Sequence, residues 1–422
     1  MTRTGNSDTG TERVVVIGAA GEMCRIAVER LVHTPRDLEL VLTDLRPESL
    51  EPLARKLPRG TATTRRLDLF DDAALRELVD GAALVLLGAG PYIRTSGPVI
   101  EACLDAKVSY LDFDDDVEST EHALTLDQKA KAAGMPIYVG CGASPGMSNV
   151  MAVDAADDLD TVDLIDLCWL VGDERPNVGR AVLEHLLHIS AGDCLTWEGG
   201  RRVVHETFTE TGRFPILRGE PDVLLYETAH PEPVTLPRRY PDAQRIRCVG
   251  GLDPAPLNGL ARGMGLAAQQ GRMTEKEAVD FIFDIVTGGV GSGDGWRNAL
   301  RGMAGQVRRG ESGAGALARF LAKSAVKQVY PYRGGLLSRA YGLKDGKPAV
   351  SARRTAMRTG RAFNNMGGVT GTACAAFAVL ALEEAGTRAG AFAPEDWAEP
   401  AAFYRALETV GVPRHDIVET VA

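Results

Sequence analysis

The sequence predicts an α/β protein: an N-terminal doubly wound parallel sheet, then a second, mixed α/β domain with a largely antiparallel sheet. Three observations carry this. The stretch VVVIGAAGEMCRIAVERL, Val14 to Leu31, reads as strand, glycine turn and helix. Apolar runs then alternate with helical patterns as far as Val139. After Pro145 the pattern changes to short strands separated by proline-rich turns.

Val14 to Ile17 is a run of β-branched residues that reads as a strand buried on both faces. Gly18, Ala19, Ala20 and Gly21 follow, and Met23, Ile26, Ala27 and Leu31 then recur at helical spacing. Gly18 allows a sharp turn off the strand, and Gly21 allows a pyrophosphate to approach the backbone. The N–H groups and dipole of the new helix favour an anion. The spacing is G-x-x-G-x-x-C, with Cys24 where a third small residue normally lets helix and strand pack closely. Asp44 closes the second apolar run, Leu38 to Leu42, at the distance expected of a carboxylate that holds ribose hydroxyls. A Rossmann dinucleotide-binding domain over residues 13–145 is therefore expected.

The remaining elements are read in order. Pro47–Leu57 is expected to be a helix, Thr61–Leu67 a strand, Asp71–Val79 a helix and Ala82–Leu87 a strand. Gly97–Ala106 is expected as a helix, Val108–Leu111 as a strand, Thr120–Ala133 as one helix and Pro136–Val139 as a strand. Ligands on such sheets bind at the carboxyl ends of the strands. Those ends carry Gly18–Gly21, then Asp44 and Arg46, then Asp68, then Gly88-Ala89-Gly90-Pro91-Tyr92, then Asp112 to Asp116, then Gly140 to Gly146. Glycine or an acid at every end reads as one continuous cofactor rim.

Beyond Pro145, strands are expected at Val162–Leu170, Arg202–Phe208, Leu224–Glu227 and Arg245–Val249. Helices are expected at Gly179–Ser190, Pro256–Gln269, Thr274–Val286 and Ala316–Lys327, with a hairpin from Gly334–Leu343 and Ala349–Thr355. Thr287–Gly295, TGGVGSGDG, follows no apolar strand and is read as a flexible loop rather than a second phosphate site. Val369–Glu384 is a small-residue-rich, packed helix. His185 and His188 lie one helical turn apart, but no third ligand can be named, so no metal site is read. They read as surface or core histidines, with a proton shuttle as the alternative. Cys141 is a lone turn cysteine with no activating histidine.

A chain of 422 residues suggests two or three domains. Residues 1–12 are polar and read as a disordered leader, and the start lacks an apolar signal core. No apolar run is read as long enough to cross a bilayer. A net charge of −10 with no basic run argues against a nucleic-acid partner. Seven scattered cysteines form no C-x-x-C pair, which points to a reducing, cytoplasmic setting.

Three stretches go beyond a generic fold: GPYIRTSGPVIEACLDAKVSYLDFDDDVEST from Gly90, GCGASPGMSNVMA from Gly140, and the tail from MGGVTGTACAAFAVLALEEAG to GAFAPEDWAEPAAFYRALETVGV. With their G-P-Y turn, V-x-Y-L-D strand and P-G-M-S-N turn, these resemble the saccharopine dehydrogenase superfamily, which includes saccharopine reductase, lysine 6-dehydrogenase and carboxynorspermidine dehydrogenase. The resemblance is good over residues 13–155, fair over 365–413 and faint between. It implies a substrate and dimerisation domain over 146–364, C-terminal helices over 365–422 that return to the first domain, and a homodimer. It also implies hydride transfer between NAD(P) and a C–N bond of an amino acid or a molecule derived from one.

On that reading Gly18, Ala20, Gly21, Glu22, Met23, Asp44, Arg46 and Asp68 contact the nucleotide half of the cofactor, and Gly88, Ala89, Gly90, Pro91 and Tyr92 line its centre. Ser144, Pro145 and Gly146 border the nicotinamide. Asp112, with Asp114 on the same face, is the candidate base for the amine proton, the alternative being a solvated acidic turn. Arg94 is the first choice to grip a substrate carboxylate, ahead of Arg238, Arg239, Arg245 and Arg247. Asp44 favours NAD, whereas Arg46 makes NADP possible. Two other functions share these features: a homospermidine synthase-like transferase that recycles its NAD, and a non-catalytic NAD-binding sensor.

Overall fold

The computed structural model describes residues 11–175, 178–358 and 363–421. The expected leader therefore lies outside the described residues except at its end, where Glu12 already begins a strand. The chain divides into two compact units. One comprises the residues up to Gly142 together with Thr370–Pro413, and the other comprises Ala143–Val369 and the residues from Arg414 on.

In the first unit the strands are β1 (Glu12–Ile17), β2 (Leu38–Asp44), β3 (Ala62–Arg66), β4 (Leu84–Leu87), β5 (Ser109–Asp112) and β6 (Pro136–Tyr138). The helices between them are α1 (Glu22–Leu31), α2 (Glu51–Ala54), α3 (Asp72–Val79), α4 (Tyr92–Ala106), α5 (Val117–Thr125) and α6 (Asp127–Ala133). A seventh strand, Gly390–Phe392, joins beside β6, and all seven are parallel. Reading across from that added strand, the order is β6-β5-β4-β1-β2-β3, so the winding reverses between β1 and β4. That reversal is where an open α/β sheet leaves a crevice for a ligand. Val14, Val15, Val16 and Leu84 to Leu87 are fully buried, as strands covered on both faces require.

Several boundaries differ from expectation. Pro47–Leu50 is a 3₁₀ turn and only Glu51–Ala54 is α-helical. The expected Thr120–Ala133 helix is two, broken at Leu126. Helix α4 begins five residues before Gly97, carrying Pro98 inside it. In α1 the buried residues are Cys24, Ala27, Val28 and Leu31, so its inward stripe is rotated from the one read. The helix Met366–Glu383 is 18 residues long with a mean hydropathy of 1.5, and is the one described helix long and apolar enough to cross a membrane. That corrects the expectation that no such run exists, although 89% of it is buried within the protein.

The second unit opens with α7 (Met147–Ala156) and β7 (Thr161–Val171), then α8 (Arg180–Ser190), β8 (Asp193–Glu198), β9 (Arg201–Glu206), β10 (Thr211–Phe214) and β11 (Val223–Glu227). After the short helix α9 (Glu232–Thr235) come β12 (Arg245–Leu252), α10 (Pro256–Gln269), α11 (Glu275–Val286), α12 (Gly293–Arg308), α13 (Ala314–Ala325), β13 (Gly335–Lys344) and β14 (Lys347–Thr355). Its nine-stranded sheet runs β10-β11-β12-β7-β13-β14, then the final strand Val418–Thr420, with β8 and β9 branching from β12. Every pairing is antiparallel except β7 with β12. The chain's last strand thus lies in the second sheet, while 370–413 cluster with the first unit.

The loop expected at 287–295 runs into a helix. Its end forms the first turn of α12, whose N-cap Ser292 accepts from the Gly295 N–H. The Gly291 N–H donates to the Asp284 carboxylate at 2.7 Å. An acid already occupies the donor, so the segment is not an anion cradle.

Candidate functional site

The β1–α1 turn has the backbone that a phosphate cradle needs. Gly18 has φ +80, and a Cβ there would lie 2.8 Å from the Ala89 backbone nitrogen. The loops after β1 and β4 therefore meet at the point where the winding reverses, and only glycine fits the contact. The Gly18 and Ala19 N–H groups donate to the Thr43 carbonyl at 2.9 and 3.0 Å, and the Gly21 N–H to the Gly18 carbonyl at 3.0 Å, which fixes the turn. Gly21 is the N-cap of α1, and no side chain caps the helix there. The first-turn N–H groups of Glu22, Met23 and Cys24 are thus left for an external acceptor. The cradle and its donors fit a dinucleotide pyrophosphate.

The departure at Cys24 is compensated elsewhere. Cys24 is buried, and a Cβ on Gly88 would lie 2.1 Å from its sulfur. The bare backbone of Gly88 accepts the thiol that replaces the usual third small residue. On the outer side of α1, a Cβ on Gly371 would lie 2.5 Å from the Met23 carbonyl, so that contact also requires glycine. Burial raises the Cys24 thiol to about 12, with Asp44 adding to the effect.

At the next strand ends, the Asp44 carboxylate accepts the Arg46 N–H at 3.1 Å. The β2–β3 register sets Arg66 directly beside Asp44, a neighbour the sequence reading missed. The Arg46 and Arg66 side chains are exposed, and neither is ion-paired among the described residues. Asp68 is exposed and accepts the Phe70 N–H at 3.1 Å.

Gly88, Ala89, Gly90 and Pro91 are half-buried or exposed at the rim, but Tyr92 is not a lining side chain. Its ring is buried edge-on to Phe113, and its hydroxyl points back to the Leu87 carbonyl. Arg94 is exposed in the first turn of α4. Asp112 is fully buried. It accepts from the Tyr110 hydroxyl at 2.6 Å, from the Gly140 N–H at 2.9 Å and from the Asp114 N–H at 3.2 Å. Burial pushes it up to about 6 against those hydrogen bonds. Asp114 is also buried, accepts from the Ser119 hydroxyl and the Asp116 N–H, and is raised by burial and by Asp112. Neither carboxylate lies open to solvent; together they tie the ends of β5 and β6 to the start of α5. Cys141 is fully buried with its thiol pushed well up, which removes it as a nucleophile.

In the second unit, Ser144 donates to the Glu232 carboxylate, and the Gly146 N–H donates to Asn149 Oδ1 at 2.9 Å at the start of α7. Ser148 donates to the same Glu232 oxygen at 3.3 Å. Glu232 is fully buried, with Cys248 Sγ at 3.9 Å from its Oε1 and His230 Nδ1 at 3.6 Å from its Oε2. His230 packs on Trp169 and His185, and burial lowers it well below the usual imidazole range. The sequence reading missed this cluster; the signal available was the H-P-E-P run at 230–233, which holds a histidine and a glutamate together. His188 is exposed. Arg245 and Arg247 are ion-paired with Glu210 and Asp166 at 2.7 and 2.6 Å, so neither is spare for a substrate.

Residues 14–137 match the saccharopine dehydrogenase NADP binding domain. The matched residues lie within the first unit. The matched stretch runs from within β1 to within β6, and takes in the whole glycine cradle and both loops that meet at Ala89. The chain is similar to carboxynorspermidine synthase of Vibrio cholerae, 26% identical over 234 residues, covering 49% of this chain and 53% of that one. It is similar also to trans-acting enoyl reductase of Mycobacterium tuberculosis, 24% identical over 229 residues, covering 50% of this chain and 53% of that one. These matches span about half the length of the curated relatives. Among solved structures, an apo saccharopine dehydrogenase (L-Glu forming) from Saccharomyces cerevisiae shares the fold, with a TM-score of 0.62, 15% identity and coverage of 97% of this chain and all of that one. The expectation of a nicotinamide dinucleotide cofactor, NAD or NADP, stands with the domain match.

Proposed function

We propose that this chain is an NAD(P)-dependent oxidoreductase that transfers a hydride to or from a C–N bond, amine or imine, of an amino acid or a molecule derived from one. The observation that carries the oxidoreductase reading is the uncapped α1 N-terminus behind a glycine turn, seated where the winding of the sheet reverses. The C–N bond rests on the resemblance and on the name of the Vibrio relative.

In this reading Gly18, Gly21 and the first turn of α1 hold the pyrophosphate, and Asp44 orients a ribose hydroxyl. Arg66 pairs with Asp44 in the β2–β3 register and Arg46 follows two residues on, so we propose NADP as the preferred form, with both arginines available to a 2′-phosphate. A bound nicotinamide supplies the hydride donor or acceptor. Arg94 grips a substrate carboxylate. Asp112 and Asp114 act as positioning residues: their burial denies them the substrate, and their hydrogen bonds hold the β5 and β6 ends that frame the rim.

A second reading, hydride transfer to a C=C bond, is supported by the name of the mycobacterial relative. Purified protein with NADPH or NADH, offered cyclic imines, oxo-acid and amine mixtures, and enoyl thioesters, separates them by loss of reduced-nicotinamide absorbance. Turnover with imines and none with enoyl compounds is expected. Turnover with enoyl compounds alone sinks the C–N assignment. Tight cofactor binding without net turnover of any substrate points to the recycling transferase or the sensor.

A further inference from the structure

The second unit holds a polar cluster that the oxidoreductase reading does not use. His230, Glu232 and Cys248 offer Nδ1 or Nε2, a carboxylate oxygen and a sulfur that all lie within 4.8 Å of one another, and all three residues are buried. The His230 ring is 4% exposed, and neither of its nitrogens has a hydrogen-bond partner among the described residues. A buried imidazole with both nitrogens unsatisfied is destabilising unless something fills the gap. At 3.6 Å the Nδ1 to Oε2 separation is too long for a hydrogen bond. It matches the edge of a coordination tetrahedron, for which bond lengths of about 2.0–2.3 Å give edges of about 3.3–3.8 Å; Sγ lies 3.9 Å from the other carboxylate oxygen, just beyond that range.

We propose that His230, Glu232 and Cys248 bind a divalent zinc ion. One nitrogen, one oxygen and one sulfur donor make the mixed, borderline-soft set that zinc favours. Three protein ligands leave the fourth position for a water molecule, as in zinc sites that polarise a ligand rather than brace a fold. The surroundings hold the ligands in place. Ser144 and Ser148 donate to Glu232 Oε1 and fix the carboxylate from behind. Cys248 is set by β12, where its carbonyl accepts the Thr228 N–H at 3.0 Å. Two residues along, a Cβ on Gly250 would lie 1.9 Å from the Trp169 ring, so glycine there lets the indole lie across the strand and pack against His230, 5.6 Å between centroids. The site lies wholly within the second unit, and its test does not depend on the cofactor.

The full chain is loaded with zinc alone, passed through a desalting column, and its metal content measured by mass spectrometry. One zinc per chain is expected, falling to background in both Cys248→Ser and His230→Gln. Ser148→Ala keeps all three ligands and should weaken zinc about tenfold by loosening Glu232. Should the ligand variants fail to fold, cobalt exchange into the wild-type protein decides: a thiolate-to-cobalt charge-transfer band is expected. Folded wild-type protein that retains no zinc overturns the proposal, and so does zinc retained equally by the ligand variants or cobalt binding without the thiolate band.

Discussion

Two glycine-rich segments run into helices in this chain, Gly18–Gly21 into α1 and Thr287–Gly295 into α12, and they have opposite uses. The first leaves a buried strand, and no side chain caps its helix. The second leaves helix α11, its helix is capped by Ser292, and its Gly291 N–H is taken by Asp284. Composition is similar; what differs is which acceptor already holds the N–H groups. A glycine turn is a phosphate site only when the protein's own carboxylates and hydroxyls stay away from it. The sharpest test adds bulk to the first turn. Gly18→Val meets both a φ of +80 and the Ala89 backbone, and Gly21→Trp fills the mouth of the helix. Either should cost at least about 100-fold in dinucleotide affinity, the equivalent of two charge-assisted hydrogen bonds. Unchanged binding by calorimetry would place the cofactor elsewhere.

The second test asks whether Gly88 serves the cradle by sheltering Cys24. Gly88→Ala puts a methyl 2.1 Å from the sulfur and should destabilise the protein by about 1–3 kcal/mol through overpacking. Cys24→Gly in the same chain should recover part of that loss, because it removes the nearer clash and leaves only the Phe113 ring, 2.9 Å from the added carbon. Denaturant unfolding of the two single variants and the double variant measures the coupling; strict additivity would mean that Gly88 matters for another reason.

How much of this was legible in the sequence follows from range. The β1–α1 unit, the parallel order through β6 and the strand-end residues were readable because buried strands, glycine turns and helix periods are local signals. Tyr92 and Asp112 were misplaced because a rim position in sequence does not say whether the side chain points out or down; here both point into the core. Arg66 escaped because its partner Asp44 is on another strand and only register joins them. His185 and His188 drew notice as chain neighbours, yet the buried histidine beside Glu232 is His230, and Cys248 reaches it from β12. Contacts between elements distant in the chain leave no periodic trace.

Asp112 offers a pH signature that the glycine segments lack. Its carboxyl is raised to about 6 in the folded chain from an ordinary 3.8, through burial. Between those values the folded state binds the proton that the unfolded state has released, so stability falls as pH rises through that window. Asp114 is raised in the same direction. Asp112→Asn cannot titrate and should flatten the fall, seen as unfolding midpoints that change less between the two ends of the window. An equally steep fall in the variant would assign the slope to other groups.

The cofactor's far end gives a smaller effect. Arg66→Ala should weaken NADPH by about tenfold, the loss of one charge-assisted contact, and leave NADH unchanged; Arg46→Ala should do the same. Equal losses for both cofactors would mean that the arginines contact the shared part of the molecule and that Asp44 alone sets the preference.

The smallest effect completes the comparison. Asp284→Ala frees the Gly291 N–H and removes the carboxylate that crowds Gly289, where a Cβ would lie 2.0 Å from Asp284 Oδ1. One exposed hydrogen bond is lost, so stability should drop by about 1 kcal/mol and dinucleotide affinity should stay put. The informative measurement is phosphate or sulfate binding to that variant. Ser292 still caps α12 through the Gly295 N–H, so the loop should remain without affinity for anions even after its acid is gone. If the variant does acquire an anion at Gly291, Asp284 alone separates the two glycine segments, and the strand that precedes the first of them matters less than its emptiness.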